Sequence, residues 1–320
     1  MYQNPYGIIA ADYYLPGTPV DVRDWAPLLG VAPELVQALI SNGCRYFHMG
    51  EGESDLSLSM AAFERLLKRA GIAAREVDYL IHANTQPFSI PEPPRSVVAE
   101  LAAAFDLQPK LAFGITHLGC ASVFAAIEAA CALLQSDPDA HYVAIVTADR
   151  VFDEPFRLRK DQGIQSDGSS ALLIGRGEGL GRLASLCLRY FPKLDGGPAS
   201  PQFEALHGTF NWAYTKTATA EALQQARLTM RDIGIFLPTN SEAPLWLSLG
   251  RSLGAEDHQM FTENTRRRGH ACCANLAINL VDAGFEHLAA GHPVLAAAQS
   301  NNGAYAAFTL LPPGATAEGR

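Results

Sequence analysis

The sequence has few of the features that mark nucleic-acid-binding or membrane proteins. Acidic residues outnumber basic ones by 33 to 24, and the formal net charge is −9. Nucleic-acid surfaces need clustered Lys and Arg, and the basic run Arg266–Arg268 is short, so we expect no nucleic-acid partner. No run reaches the roughly 18 consecutive apolar residues of a membrane span, and the N-terminal segment lacks the charged and then apolar pattern of a signal peptide. We therefore expect a cytoplasmic protein that does not enter a membrane.

Cysteine is also scarce and irregularly spaced. The chain has 6 cysteines among its 320 residues, and no Cys-x-x-Cys pair occurs. This spacing predicts neither a zinc site nor a disulfide framework. We expect reduced thiols and no bound metal at Cys44, Cys120, Cys131, Cys187, Cys272 and Cys273. The hydrophobic content of 48% is enough for a sizeable core in one large domain or two smaller ones.

One cysteine stands at the predicted start of a helix. Cys120 follows a short apolar run, and residues 121–134 after it are rich in Ala and Leu, which predicts a helix. The first N–H groups of a helix have no internal partner, so they favour a thiolate and can bind the oxygen of an attacked thioester. The alternative is a buried cysteine that acts as a small hydrophobe. Gly119 and the strand–turn–helix context favour the reactive thiol.

Four blocks recur along the chain in the same order, which indicates a duplication. The matched pairs are residues 75–84 with 231–240, Gly119–Cys120 with Gly269–His270, residues 141–148 with 292–299, and residues 168–174 with 303–309. Because strands alternate with helices, we expect an α/β fold of two similar halves, residues 1–176 and 177–320, with mixed sheets covered by helices. If the halves pack about a pseudo-two-fold axis, Cys120 and His270 face each other across one cleft.

This layout resembles the thiolase fold and, within it, the β-ketoacyl-acyl-carrier-protein synthase III group. The resemblance lies in Gly119–Cys120–Ala121, in the block Ser-Asp-Gly-Ser-Ser-Ala at residues 166–171, and in Asn302–Gly303 where the family has its final glycine run. It implies thiolase-like duplicated α/β halves, a cysteine acylated by a thioester, and no permanently bound cofactor. It also implies a homodimer that pairs through a strand of the first half, with residues 86–94 reaching toward the partner's pocket.

Two positions depart from the condensing enzymes of this family. The usual Pro-His-Gln-Ala-Asn reads Pro-Thr-Asn-Ser-Glu at residues 238–242, so Thr239 stands in place of the histidine, and the usual Gly-Asn reads Gly269–His270. The family's His and Asn stabilise the enolate formed when a malonyl thioester loses carbon dioxide, so their replacement weakens the case for decarboxylative condensation. A smaller acyltransferase branch has its histidine in this second loop and a carboxylate five residues later. Here the fifth residue is Asn275.

The resemblance to that branch assigns the catalytic roles. We expect Cys120 to be the nucleophile, His270 the general base, and Asn275 the residue that orients the imidazole through its amide oxygen. Asn275 can reach the ring only if His270 precedes the helix, and a packing role for Asn275 is the alternative. His270 could instead be a surface loop residue, and His117 could meet the thiol, although a core position is expected for it.

The remaining site predictions concern the backbone and the pocket. The N–H group of Cys120 and one from the Asn302–Gly303 turn are expected to form the oxyanion hole. Cys272 and Cys273 are expected to be small packing residues. The predicted pocket residues are Thr239, Asn240, Phe88, Phe210 and Trp246.

The expected donor is the phosphopantetheine thioester of an acyl carrier protein rather than free coenzyme A. Gln37 and Ser41 stand where the family packs an Arg and a Trp against the adenine of coenzyme A, and Pro244 replaces a basic residue that docks the carrier. Arg266–Arg268 is the alternative docking group. We expect an acyltransferase that passes an acyl group through Cys120 to a small-molecule acceptor in a secondary-metabolite or fatty-acid-type pathway. The alternatives are a decarboxylative condensing or chain-priming synthase and a catalytically silent partner subunit.

Overall fold

The computed structural model describes residues 5–85, 95–159, 162–177, 179–191 and 201–315. The segment 86–94, which is expected to reach toward a partner's pocket, lies outside the described residues, and so does the predicted pocket residue Phe88.

Within the described residues, nine strands form one mixed sheet in the order β5-β4-β6-β7-β1-β8-β11-β10-β9, and β2 pairs only with β3. The strands are β1 Tyr6–Tyr14, β2 Val20–Asp21, β3 Tyr46–Phe47, β4 Tyr79–Ala83, β5 Leu111–Ile115, β6 Tyr142–Asp149, β7 Gly168–Arg176, β8 Gly181–Tyr190, β9 Ile235–Leu237, β10 Val294–Gln299 and β11 Ala304–Leu311. Strand β4 runs parallel to β5 and β6, and β9 runs parallel to β10, whereas the other pairs are antiparallel. The predicted α/β class with a mixed sheet is confirmed.

The helices connect and cover these strands. They are α1 Val22–Trp25, α2 Pro33–Ser41, α3 Asp55–Ala70, α4 Val97–Ala104, α5 Ser122–Ser136, α6 Pro201–Ala226, α7 Ala243–Ser252, α8 Glu263–Arg267, α9 Asn275–Asn279 and α10 Phe285–Ala289. A single π-helical turn, Leu280–Gly284, joins α9 to α10. Short 3₁₀ turns precede α5 at Gly119–Ala121 and α9 at Cys272–Ala274.

The inner strands of the large sheet are buried on both faces because helices pack on each side of it, whereas the edge strand β5 is partly exposed. Successive side chains of a strand point to opposite faces. In β4, Ile81 packs in the core that contains α5 and α9, whereas Leu80 packs with α3 and α4 on the other face. In β10, Ala296 shares the α5–α9 core and Leu295 packs with α6 and α7. Helices α5 and α9 therefore share one core layer, which receives strands from both ends of the sheet.

The two predicted halves meet where β1 pairs with β8. Gly7 is opposite Arg182 and Ile8 is opposite Gly181 in this antiparallel pair. Residues 1–176 supply β1 and β4–β7 of the large sheet, and residues 177–320 supply β8–β11.

Helix α5 is the most apolar element of the shared core layer. By length and composition, Gly119–Ser136 meets the criteria for a membrane-spanning helix, and 56% of this segment is buried inside the fold. Core helices of water-soluble proteins meet the same criteria, so this feature is weak evidence for a membrane span.

The turns that start α5 and α9 correct one sequence alignment. Gly119 and Cys272 both have left-handed backbone conformations, with φ of 53° and 49°, and each begins the 3₁₀ turn that leads into its helix. Matching the helix starts places Cys273, rather than His270, at the position equivalent to Cys120. The predicted equivalence is therefore displaced by three residues, and His270 lies in the extended lead-in to the turn.

Candidate active site

The candidate site lies at the carboxyl ends of three parallel strands. Thr85 follows β4, Cys120 follows β5, and Asp149 ends β6. The carboxyl ends of parallel strands meet at one edge of the sheet, which is a common place for ligand sites in α/β folds. The side chain of Asp149 links two of the surrounding segments: it accepts from Thr85 N–H at 2.6 Å and from Cys273 N–H at 3.2 Å.

Cys120 is surrounded by groups that favour its thiolate. Its Sγ lies 3.2 Å from Nε2 of His270, and the Thr85 hydroxyl donates to it at 3.6 Å. A hydrogen bond from the Cys272 thiol, together with His270 and Thr85, holds the pKa of Cys120 well below its ordinary value, although burial opposes this effect. The predicted pairing of Cys120 with His270 is present in the structure.

The backbone of His270 is held by the segment at residues 164–166. His270 N–H donates to the Ile164 carbonyl at 2.9 Å, and Ser166 N–H donates to the His270 carbonyl at 2.9 Å. Gly269 has φ of 67°, and a Cβ at this position would lie 2.8 Å from Ser166 Oγ. Because this bridge keeps His270 ahead of α9, Asn275 can reach its ring despite the separation of five residues.

Asn275 contacts His270 with its amide nitrogen rather than its amide oxygen. Nδ2 of Asn275 lies 2.6 Å from Nδ1 of His270, while Oδ1 of Asn275 accepts from Ala271 N–H at 2.9 Å. A backbone N–H can only donate, so this contact determines which end of the Asn275 amide is oxygen. The expected contact with His270 is present, but its polarity is the reverse of the expected one.

This polarity determines the protonation of the imidazole. Because Nδ1 of His270 accepts a hydrogen bond, the neutral ring carries its proton on Nε2, which faces Cys120. His270 therefore donates to the sulfur and has no free lone pair directed into the site. The arrangement does not support the predicted role of general base and assigns His270 the role of a hydrogen-bond donor.

Cys272 is the functional residue that the sequence reasoning missed. The contact with Cys120 and burial raise the pKa of Cys272 well above its ordinary value, so this thiol stays protonated and donates. Cys272 is buried, as a packing residue is expected to be, and its sulfur also lies within 4.8 Å of the Cys120 sulfur. The sequence feature that could have indicated Cys272 is its place just before α9, which matches the place of Gly119 just before α5. Cys273 donates to the Gly119 carbonyl at 3.3 Å and lies 3.2 Å from Thr85 Oγ1.

The turn between β10 and β11 lies beside Gly119 and Cys120, and both N–H groups that it was expected to offer to an oxyanion hole face Ser300, with Asn302 N–H 3.5 Å from Ser300 Oγ. Gly303 N–H donates to the Ser300 carbonyl at 3.2 Å, so it is engaged within its own turn. The Asn302 side chain donates to the His117 carbonyl. His117 itself is exposed and has φ of 64°, so the expectation of a core position is wrong. A Cβ at Gly119 would overlap Ser300 Oγ, which explains the glycine there.

A cleft of about 300 Å³ opens beside the thiol. Its lining includes Thr239 and Asn302 of the predicted site, together with Cys120 and His270. The predicted pocket residue Asn240 is not among those that line the cleft: it is buried and donates to Oδ1 of Asn275 at 3.1 Å.

The two other described residues of the predicted pocket are not among those that line this cleft. Trp246 is 1% exposed and packs edge-on against Phe236 in the α6–α7 core, so the structure contradicts its predicted pocket position. Phe210 lies on α6 with 41% of its surface exposed and stacks on Tyr214, 6.0 Å between ring centroids.

Cys120, His270 and Cys272 also present possible metal ligands. Their donor atoms all lie within 4.8 Å of one another. A metal would need the lone pair of His270 Nε2, whereas Asn275 favours the tautomer that has a proton on this atom. The set therefore fits a thiolate with hydrogen-bond donors better than a metal centre.

Comparisons with known proteins place this site in a family context. No protein-family model matches the chain. The β-ketoacyl-[acyl-carrier-protein] synthase III of Streptococcus suis is 27% identical over 319 residues, which cover 89% of this chain and 92% of that protein. Among solved structures, the acyltransferase ChlB3 superposes with a TM-score of 0.81 at 18% identity, covering 97% of this chain and 98% of that one.

A priming β-ketosynthase from a polyketide biosynthetic pathway superposes with a TM-score of 0.78 at 20% identity, covering 96% of each chain. The structural likenesses show the fold, and the sequence likeness extends over most of the chain and includes the segment of Cys120. The protein therefore has the thiolase fold and is similar in sequence, over most of its length, to β-ketoacyl-[acyl-carrier-protein] synthases III.

Proposed function

We propose that the protein transfers acyl groups from a thioester donor, through an acyl-Cys120 intermediate, to an acceptor nucleophile. The observation that carries this proposal is the Cys120 thiol, which lies beside a cleft and whose pKa is lowered by the Cys272 thiol, His270 and Thr85. A lowered pKa provides the nucleophilic thiolate near neutral pH.

The same three groups serve both halves of the reaction. In the first half, the thiolate attacks the donor carbonyl carbon, the donor C–S bond breaks, and the departing thiolate takes a proton from water. In the second half, the acceptor attacks the acyl carbonyl, the bond between the acyl group and the Cys120 sulfur breaks, Cys120 leaves as a thiolate, and the acceptor's proton passes to water. Hydrogen bonds from Cys272, His270 and Thr85 stabilise the sulfur as it regains its negative charge. His270 thus supports transfer without acting as a base.

The proposed donor is the phosphopantetheine thioester of an acyl carrier protein, with coenzyme A thioesters as the alternative. The name of the similar Streptococcus suis protein, β-ketoacyl-[acyl-carrier-protein] synthase III, includes an acyl carrier protein. On α8, Arg266 and Arg267 are exposed, whereas Arg268 is partly buried and paired with Asp282 at 3.3 Å. The two exposed guanidinium groups are therefore the part of the basic run that can meet an acidic carrier.

We also propose a homodimer that pairs through β5. This strand is an edge of the described sheet, and Leu111 at its start is 49% exposed. An exposed edge strand with an apolar side chain favours pairing with another strand. A cytoplasmic location and a role in a natural-product or fatty-acid-type pathway complete the proposal.

Decarboxylative condensation or chain priming is the second candidate function. The observation that favours it is the N–H of His270, which shares the cleft with the Thr239 side chain. Two such donors could stabilise the enolate oxygen formed when a malonyl thioester loses carbon dioxide. The third alternative, a catalytically silent subunit, is disfavoured because a protein without activity would not need hydrogen-bond donors around the sulfur of Cys120.

Intact-protein mass spectrometry after exposure to acyl-carrier-protein and acyl-coenzyme A thioesters tests the first half-reaction. We expect one acyl adduct that is absent in Cys120→Ala and present in Cys131→Ala. Acylated enzyme is then mixed with carbon-labelled malonyl carrier protein. Labelled gas together with a product longer by two carbons would establish the condensing reaction in place of the proposed one. If no thioester acylates Cys120, the proposal fails.

A further inference from the structure

Four buried asparagines lie behind the catalytic histidine. Asn240, Asn264, Asn275 and Asn279 are each at most 4% exposed. Asn275 and Asn279 are four residues apart on α9 and so share one face of this helix. Buried amides require hydrogen-bond partners, and these amides find them largely in one another.

The four amides form a chain in which each one donates toward His270. Asn264 Nδ2 donates to Asn279 Oδ1 at 2.9 Å, and Asn279 Nδ2 donates to Asn240 Oδ1 at 2.9 Å. Asn240 Nδ2 donates to Asn275 Oδ1 at 3.1 Å, and Asn275 Nδ2 faces Nδ1 of His270 at 2.6 Å. The direction is the same at every step.

Groups that have only one possible role determine this direction. Ala271 N–H, a donor, contacts Asn275 Oδ1 at 2.9 Å. The Pro238 carbonyl, an acceptor, contacts Asn279 Nδ2 at 2.9 Å. The Asp282 carboxylate, also an acceptor, contacts Asn264 Nδ2 at 3.1 Å. Asn240 lies between two amides of known direction, so its own orientation follows.

Asp282 anchors the far end of the chain. Its carboxylate accepts from the Tyr13 hydroxyl at 2.7 Å and pairs with Arg268 at 3.3 Å. Reversing the Asn275 amide would place its nitrogen against both Ala271 N–H and Asn240 Nδ2. Each buried polar group left without a partner disfavours an arrangement by roughly ten- to a hundredfold.

We propose that Asn240, Asn264 and Asn279 are positioning residues that act through Asn275 to keep the His270 proton on Nε2, facing Cys120. The inference rests on the proposed function for its catalytic meaning, since Cys120 is the nucleophile there. The tautomer itself is a property of the free protein. It explains how the site fixes a histidine as an Nε2–H donor with no backbone N–H at Nδ1: the Asn275 amide nitrogen donates there instead.

Nuclear magnetic resonance of full-length protein labelled with ¹⁵N-histidine tests the tautomer directly. In the neutral ring we expect the His270 signal pair to show a protonated Nε2 and an unprotonated Nδ1, identified by its loss in His270→Gln. A neutral ring protonated at Nδ1, or a ring that never becomes neutral while the protein stays folded, would overturn the proposal.

Two variants test the origin of the tautomer. Asn275→Asp keeps an acceptor for Ala271 N–H but places an oxygen at Nδ1, so we expect the ring proton on Nδ1. Asn240→Leu removes one link of the chain, and we expect a tenfold or larger rise in the population of rings protonated at Nδ1. The matched control is Asn211→Leu, because Asn211 is buried beside Tyr305 outside the chain. Its His270 signals should equal those of the unchanged protein.

If Asn240→Leu folds and keeps the unchanged His270 signals, the chain has no positioning role. If that variant does not fold, Asn240→Asp, which is closer in size and cannot donate to Asn275 Oδ1, takes its place in the same measurement with the same expected and contradicting results. Acylation of Cys120 is measured on the same samples by mass. A protein that is acylated but carries its proton on Nδ1 contradicts only this inference, whereas a protein with the Nε2 tautomer that is never acylated contradicts only the proposed function.

Discussion

Removal of the Cys272 thiol should make Cys120 a weaker acid. Hydrogen bonds to charged groups contribute about 1.5–3 kcal/mol. Because a thiol is a weak donor, we expect Cys272→Ala to destabilise the Cys120 thiolate, relative to the thiol, by about 1–2 kcal/mol. This corresponds to a roughly tenfold change in the equilibrium between thiol and thiolate. Because the Cys272 thiol lowers the pKa of Cys120, Cys272→Ala should raise that pKa. As the pH is lowered, the variant should therefore lose its reactivity at a higher pH than the unchanged protein does. Cys272→Ser, which keeps a donor, should retain most of the effect.

The assay is the rate of Cys120 alkylation by iodoacetamide as a function of pH, followed by peptide mass. Two other thiols should react little near neutral pH, because burial raises the pKa of Cys44 to about 11 and that of Cys187 to about 12. Cys131→Ala, which changes a thiol elsewhere on α5, is the control and should leave the profile unchanged. An identical profile in Cys272→Ala would refute the reasoning that this thiol stabilises the thiolate.

Three further predictions concern other parts of the molecule. His270→Ala should slow acyl transfer by about 10²- to 10³-fold, as for the loss of one preorganised donor; if Thr239→Ala, measured in the same transfer assay, is far more damaging, the donor has been misassigned. Gly119→Ala should lower the melting temperature, because a Cβ overlaps the β10–β11 turn and φ is 53°, whereas Gly208→Ala on α6, with nothing within 4 Å, should leave it equal or raise it. Leu111→Lys on the exposed β5 edge should shift the mass seen by light scattering at micromolar concentration from dimer to monomer, and a monomer in the unchanged protein would contradict the dimer itself.

The features that depend on local pattern could be predicted from the sequence, and those that depend on fine contacts could not. The alternation of strands and helices predicted the fold class, and the Ala-rich segment predicted the helix behind Cys120. The approach of His270 and Asn275 was expected from the resemblance to the acyltransferase branch, on the condition that His270 precedes α9, because a spacing of five residues within one helix would separate the two side chains. The polarity of their contact could not be predicted, because it depends on which end of the amide meets Ala271 N–H.

Two other outcomes depended on backbone and packing details that residue type does not specify. Cys272 reaches Cys120 because its backbone is left-handed, a conformation that sequence pattern rarely predicts for cysteine. Trp246 fills the core under α6 and α7, although a large aromatic beside a predicted loop also suits a pocket wall. For Cys272 and for Trp246, the sequence is compatible with more than one location of the side chain, and the tertiary contacts determine which location is occupied.

The left-handed conformation of Cys272 has a consequence for substitutions at this position. At φ of 49° a residue with a side chain is strained by about 1–2 kcal/mol, and glycine occupies the matching turn of the other half at Gly119. Cys272→Gly would relieve that strain and also remove the thiol beside the nucleophile. Glycine also lacks the buried Cys272 side chain, so the lost packing offsets part of the relieved strain. Cysteine at this turn thus keeps a strained backbone together with the thiol that makes Cys120 more acidic, and Cys272→Gly should give a protein whose Cys120 reacts more slowly at low pH.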